Sequence, residues 1–266
     1  MLYKQENITL VDEVRKTGRG NRVWIEILKF LAVLTPINLI MVFAGEAIKA
    51  ALFQKSVINE EISMIIQLYE CALGIGLVVL YCCCIEKRTF MSMGFMKRHV
   101  CKQYIKGACV GAMLISALVW MGVLFNTFIF NGFNVNLDKK SIFLFLGGFL
   151  LQGFYEELVF RGFFMISIIR KNTIFVAVMV NSILFGLTHG FNNGFQVLAL
   201  LNLILFGIFE SIYLLKTGNI WGISAIHSMW NFIQGNIYGF NVSGMAQSQS
   251  IFIFKISNCE IFSGGT

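Results

Sequence analysis

The chain is poor in residues that break helices and in residues that dissolve a protein in water. Proline occurs once in 266 residues, at Pro36, so long helices can run without their commonest interruption. Charged residues make up 13%, about half the share of a soluble domain, which excludes an ordinary water-soluble globule. There is no HExxH and no GxSxG, so neither a zincin helix nor a serine-hydrolase elbow is present. The first 22 residues lack the short basic region, apolar core and small-residue cleavage site of a secretory signal. The seven cysteines show neither metal-finger spacing nor a secreted disulfide framework. The Cys82-Cys83-Cys84 run reads as inert, buried small hydrophobes. Internal repeats and low-complexity linkers are absent, so the chain reads as one membrane domain.

What fills the chain instead is apolar: 57% hydrophobic residues, 27 of them phenylalanine. The apolar runs reach about 20 residues, enough to cross a bilayer core. They do not alternate as barrel strands do. The expected fold is all-α, a polytopic transmembrane helix bundle of about seven spans, near 24–45, 62–85, 104–130, 142–169, 173–189, 195–215 and 218–237. Residues 1–22 form an N-terminal segment, 23–241 the helical domain and 242–266 a polar tail.

Orientation follows from lysine and arginine in the short loops. One side gathers Lys4, Arg15, Lys16, Arg19 and Arg22, then Lys87, Arg88, Lys97, Arg98, Lys102 and Lys106, then Arg170, Lys171 and Lys216. The other side has Lys49, Lys55, Lys139, Lys140 and Lys255. This asymmetry predicts a cell-membrane protein with a cytoplasmic N-terminus, in contact with lipid and with no role in nucleic-acid binding. The basic loop around Lys87–Lys106 reads as a topology signal.

Against this background a few ionisable residues lie inside spans, where each costs at least about 2–3 kcal/mol. Glu156, Glu157 and Arg161 fall in the fourth span. Glu157 and Arg161 are i,i+4 and face each other on a helix, whereas Glu156 points elsewhere. Arg161 is expected to neutralise Glu157 and leave Glu156 free to act as a base toward water. Phe185-x-x-x-His189 ends the fifth span and His227-x-x-x-Asn231 lies in the seventh. The chain has three histidines; two fall inside spans and His99 lies in the basic loop. Two chemistries fit. Glu156, His189 and His227 can ligate zinc or another divalent metal that activates water. Alternatively, without metal, Glu156 and His189 polarise a water while His227 and Asn231 stabilise an oxyanion. A proton relay in a transporter is a further reading of the same residues.

Glu-Glu-x-x-x-Arg (156, 157, 161), Phe-x-x-x-His (185, 189) and His-x-x-x-Asn (227, 231), in this order, resemble the motifs of the CPBP family. That family comprises the type II CAAX-prenyl and bacteriocin-processing intramembrane proteases, also called Abi. The resemblance covers residues 142–237. It implies an intramembrane endopeptidase acting on membrane-associated peptides, CAAX-like or peptide precursors. Glu156 would be the principal carboxylate, with Glu157 and Arg161 supporting it. His189, His227 and Asn231 would complete the site, and Phe185 would support it. A catalytically inactive immunity protein of the same fold is the alternative. Ser263-Gly264-Gly265 resembles the segment before a final eighth span, so the chain reads as a member truncated there.

Overall fold

In a computed structural model the described residues are 10–16, 20–53, 59–192 and 196–257. Ser263-Gly264-Gly265 lies outside them. The helices are α1 (Leu10–Arg15), α2 (Val23–Phe53), α3 (Glu60–Leu80), α4 (Val100–Leu124), α5 (Lys139–Glu157), α6 (Ile166–Ile169), α7 (Ile174–Thr188), α8 (Val197–Thr217) and α9 (Ile220–Phe232). Five stretches are long and apolar enough to cross a membrane, among them 60–85 and 139–169. The shorter α7 and α9 complete the seven-helix bundle. Side-chain caps set the helix starts: Asn59, Asp138, Thr173 and Asn219 each accept a hydrogen bond from a backbone N–H of the first turn. Gly218, in the left-handed region at φ 64°, ends α8.

Three findings depart from the sequence expectation. The third span stops at Leu124, and β1 (Phe128–Phe133) follows it. β1 pairs antiparallel with β2 (Phe252–Ile256) from the polar tail, Phe130 opposite Phe254. The strands are rich in β-prone phenylalanine and isoleucine, and a ladder satisfies backbone groups that a helix end would leave open. Second, the cysteine run is not uniformly buried. Tyr81–Ile85 winds as a π turn that buries Cys82 and exposes Cys84. Third, Arg88 is no surface charge.

α9 is the centre of the bundle, packed against α4 and α5 with most of its residues buried. Small residues allow this. In the Gly107-x-x-x-Gly111 stretch of α4, an added Cβ would strike the carbonyls of Gly222 and Ile226 on α9, the close backbone approach that such spacing permits between membrane helices. Gly111→Val is expected to destabilise the protein by about 1–3 kcal/mol or more through overpacking. Gly76, which has open space around it, should tolerate alanine. Melting curves of the two variants in detergent make the comparison.

The end of the bundle bearing the N-terminus is closed by a buried charge network. Glu86 accepts from Arg88 Nε at 2.5 Å, lies 2.7 Å from Lys29 Nζ and 3.3 Å from Arg170 Nη1. Arg88, 4% exposed, also donates to the Phe163 carbonyl at 3.1 Å and the Ser167 hydroxyl at 2.5 Å. Burial pushes the Glu86 carboxyl upward, but Arg88, Lys29 and Arg170 outweigh it and hold the pKa below the usual range. A depressed pKa contributes stability above the unfolded value, about 4.3, and that stability is lost as pH falls through the folded value. Glu86→Gln is therefore expected to lower the melting temperature at pH 7, and the gap from wild type to close below about pH 4. Melts at both pH values test the sign.

Candidate functional site

The site forms where α5 and α9 come closest. A Cβ at Gly153 would collide with the backbone of Ser228. This contact brings Gln152, Glu156 and Glu157 of α5 against His227 and Asn231 of α9. Directly after Glu157 the helix widens into a π segment, Leu158–Met165, an irregularity frequent at functional sites. The backbone groups it frees are taken up in part by Arg88, which reaches the Gly162 and Phe163 carbonyls.

Glu157 and Arg161 meet as their spacing predicts, Nη1 to Oε1 at 2.8 Å and both fully buried. The other guanidinium arm lies 3.1 Å from Glu210 Oε2 on α8. The Arg161 guanidinium also stacks on the Phe185 ring, 4.4 Å from its centroid, a cation–π contact in a dry setting. The same ring meets His189 edge-on at 4.8 Å and Phe160 at 5.1 Å. The structure thus uses Phe185 as the platform between the ion pair and the histidines.

The two imidazoles are fixed from behind. His189 Nδ1 lies 2.9 Å from the Phe185 carbonyl. That oxygen only accepts, so Nδ1 donates to it and Nε2 is left to face the other way. His227 Nδ1 lies 2.8 Å from Glu157 Oε1. The carboxylate beside Arg161 accepts there, and again Nε2 is left free. Both Nε2 atoms turn toward Glu156 Oε2, at 4.0 Å from His189 and 3.6 Å from His227. Glu156 Oε1 accepts from the Gln152 amide, which in turn accepts from Asn231 Nδ2 at 3.0 Å. Glu156 Oε2 is buried and has no hydrogen-bond partner. Two ring nitrogens and one carboxylate oxygen therefore converge. The separations exceed a hydrogen bond and match a gap that one water bridges.

Glu156, His189 and His227 offer one carboxylate and two imidazoles, the residue types of a divalent-metal site, but they are not among the described groups whose ligand atoms lie close enough together to hold an ion. Glu157, Glu210 and His227 do lie close enough together to hold a metal. In that second group the cation position is already served: the Arg161 guanidinium pairs with both carboxylates, and His227 offers only the protonated Nδ1 to Glu157.

The structure brings all seven sequence candidates, Glu156, Glu157, Arg161, Phe185, His189, His227 and Asn231, into one contiguous cluster. Two further members were not singled out from the sequence. Glu210 carried a signal, a lone acid within the apolar stretch Phe206–Leu214. Gln152 did too, one turn before Glu156.

Beside Glu156 and His189 lies a cavity of about 790 Å³. Its wall runs along α2 from Leu34 past Val42 to Glu46 and Lys49, and along the first turns of α3 at Met64 and Gln67.

A bundle of apolar helices with a buried carboxylate–imidazole centre beside a cavity describes a membrane protein with an ionisable cluster inside its helical domain. Residues 138–233 match the family model of the type II CAAX prenyl endopeptidases, Rce1-like. The matched segment contains all seven motif residues, and the resemblance to the CPBP family of membrane proteases holds over it. No curated protein and no solved structure matches the chain.

Proposed function

We propose that the protein is an intramembrane endopeptidase that hydrolyses a peptide bond of a membrane-associated substrate with a water held at Glu156. The observation that carries this reading is the orphaned Glu156 Oε2, buried at the cavity wall where the His189 and His227 Nε2 atoms converge. Glu156 takes a proton from the water, whose oxygen bonds to the scissile carbonyl carbon. The C–N bond then breaks and the proton passes to the leaving amine, so the carboxylate acts first as base and then as acid. Gln152 and Asn231 hold the carboxylate through its other oxygen. Asn231 keeps a second amide hydrogen, available to the oxygen that gains charge. Glu157, anchored by Arg161 and Glu210, is a positioning residue that fixes the tautomer and angle of His227.

A divalent ion, where bound, would be held by Glu156, His189 and His227 and would supply a more acidic water and a polarised carbonyl. Gln152, Asn231 and Glu157 do their positioning in either case.

The test is cleavage of a hydrophobic peptide library by the detergent-purified protein, with His189→Ala compared with wild type. Loss of about 100-fold or more in kcat/KM, with melting behaviour retained, is the expected result. A wild type that cuts no peptide sinks the reading. Metal analysis on the same samples sorts the mechanism: one divalent ion per chain, lost in His189→Ala, makes the enzyme metal-dependent. An active preparation free of metal leaves the carboxylate as sole activator.

A further inference from the structure

The cavity lining reaches Phe160 toward one end of the bundle and runs along α2 to Glu46 and Lys49 toward the other. Toward the N-terminal end, five buried phenylalanines stop it. Phe30 lies 5.5, 5.9 and 4.3 Å from Phe160, Phe163 and Phe164, centroid to centroid, and Phe185 packs on Phe160. Each is 5% exposed or less. Beneath this aromatic floor sits the network of Glu26, Lys29, Glu86, Arg88 and Arg170, and α1 covers it with Leu10 and Val14 fully buried. A peptide entering from that end would have to break a packed core and a set of ion pairs.

Toward the opposite end the wall turns polar. α2 runs away from the N-terminal end, so Leu34, Asn38, Glu46 and Lys49 line the cavity in order of distance from it. Glu46 pairs with Lys49 at 2.9 Å, and its side chain is 65% exposed. Gln67, in the second turn of α3, is on the same side. Among the described residues, this side of the wall carries an exposed charged pair, Glu46 and Lys49, that lines the same cavity as Glu156.

Lysine and arginine are concentrated on the closed side, at Arg15, Lys16, Lys87, Lys97, Arg98, Lys102 and Lys171 among others. Cationic loops stay on the cytoplasmic side. We infer that substrate reaches Glu156 from the non-cytoplasmic face, through the mouth formed by Glu46, Lys49 and Gln67. Resting on the endopeptidase reading, this restricts the substrate class to peptides whose scissile segment is presented from outside or from the outer leaflet. A peptide end displayed only in the cytoplasm has no path to the carboxylate.

Thiol labelling in whole cells tests the access side. One variant carries Glu46→Cys with the native cysteines replaced by serine; its counterpart keeps only Cys101, exposed at the start of α4. A membrane-impermeant charged maleimide is expected to label Glu46→Cys in intact cells and Cys101 only after permeabilisation. A bulky polyethylene-glycol maleimide on Glu46→Cys is expected to slow cleavage of a quenched hydrophobic peptide about tenfold or more, as blocked access does. Labelling of Cys101 but not Glu46→Cys in intact cells overturns the inference, and so does a bulky adduct that leaves cleavage unchanged. A wild type inactive on peptides refutes the endopeptidase reading alone, since the labelling pattern still decides the side of the mouth. If the serine-substituted chain does not fold, an N-terminal epitope on the native chain serves: protease protection in intact spheroplasts is expected, and digestion there overturns the inference.

Discussion

Glu156→Gln is expected to lower peptide cleavage by about a thousandfold, within the usual range for removing a general base, with no loss of folded protein. The substitution preserves volume, and the new amide oxygen still accepts from Gln152, as Glu156 Oε1 does now. What changes is the other end of the side chain. Glu156 Oε2 has no partner at present; an amide nitrogen in its place would donate to the free imidazole nitrogens, 3.6 and 4.0 Å away in the wild type. The variant should melt no lower than wild type, because it replaces a desolvated carboxylate with a neutral group that finds a partner. Activity within about threefold of wild type would falsify the assignment, since no general base is so easily spared. A large rate loss with a strongly lowered melting temperature would instead mark Glu156 as structural.

The contrast with Glu157 makes the point sharper. The two carboxylates are adjacent in sequence, yet one is 20% exposed at its side chain and the other 0%. A turn of about 100° per residue separates them, and this was legible without coordinates. So was the Glu157–Arg161 pair, because i,i+4 neighbours on a helix must meet. The convergence of three spans on one cluster was legible only as an expectation from motif order, since no spacing within a span fixes a distance between spans. Glu210 escaped because a lone acid has no local pattern; only Arg161, 49 positions earlier, explains it. The π segments have no residue signature here, and their carbonyls are served by Arg88 from a distant loop. In the sequence Arg88 looks like any other loop cation. The β1–β2 pair joins residues 119 to 128 positions apart, from Phe133 with Phe252 to Phe128 with Ile256, and register between such strands is a property of the folded chain alone.

The second large effect is expected at Arg161. Replacing it with leucine removes the one cation that faces Glu157 at 2.8 Å and Glu210 at 3.1 Å, with all three side chains fully buried. Breaking a buried pair from one side leaves the partner charge uncompensated and costs about 3–5 kcal/mol; here Glu157 is left without its guanidinium partner. Arg161→Leu should therefore yield little folded protein. Lysine should rescue only in part, because a single ammonium cannot reproduce the two-armed contact or the stacking over Phe185 at 4.4 Å. The informative variant is Arg161→Leu combined with Glu210→Gln. It removes the second carboxyl group that faces Arg161, so the double variant is expected to be more stable than Arg161→Leu alone, the signature of direct coupling in a double-mutant cycle. Additive losses would mean that Arg161 acts through packing rather than charge. Activity gives the second readout. Glu157 holds His227 Nδ1 at 2.8 Å, and with Arg161 gone that carboxylate has no fixed counter-charge. The folded fraction of the double variant should then cleave peptide about 10–100-fold more slowly than wild type, the usual cost of disturbing a residue that orients a reacting imidazole.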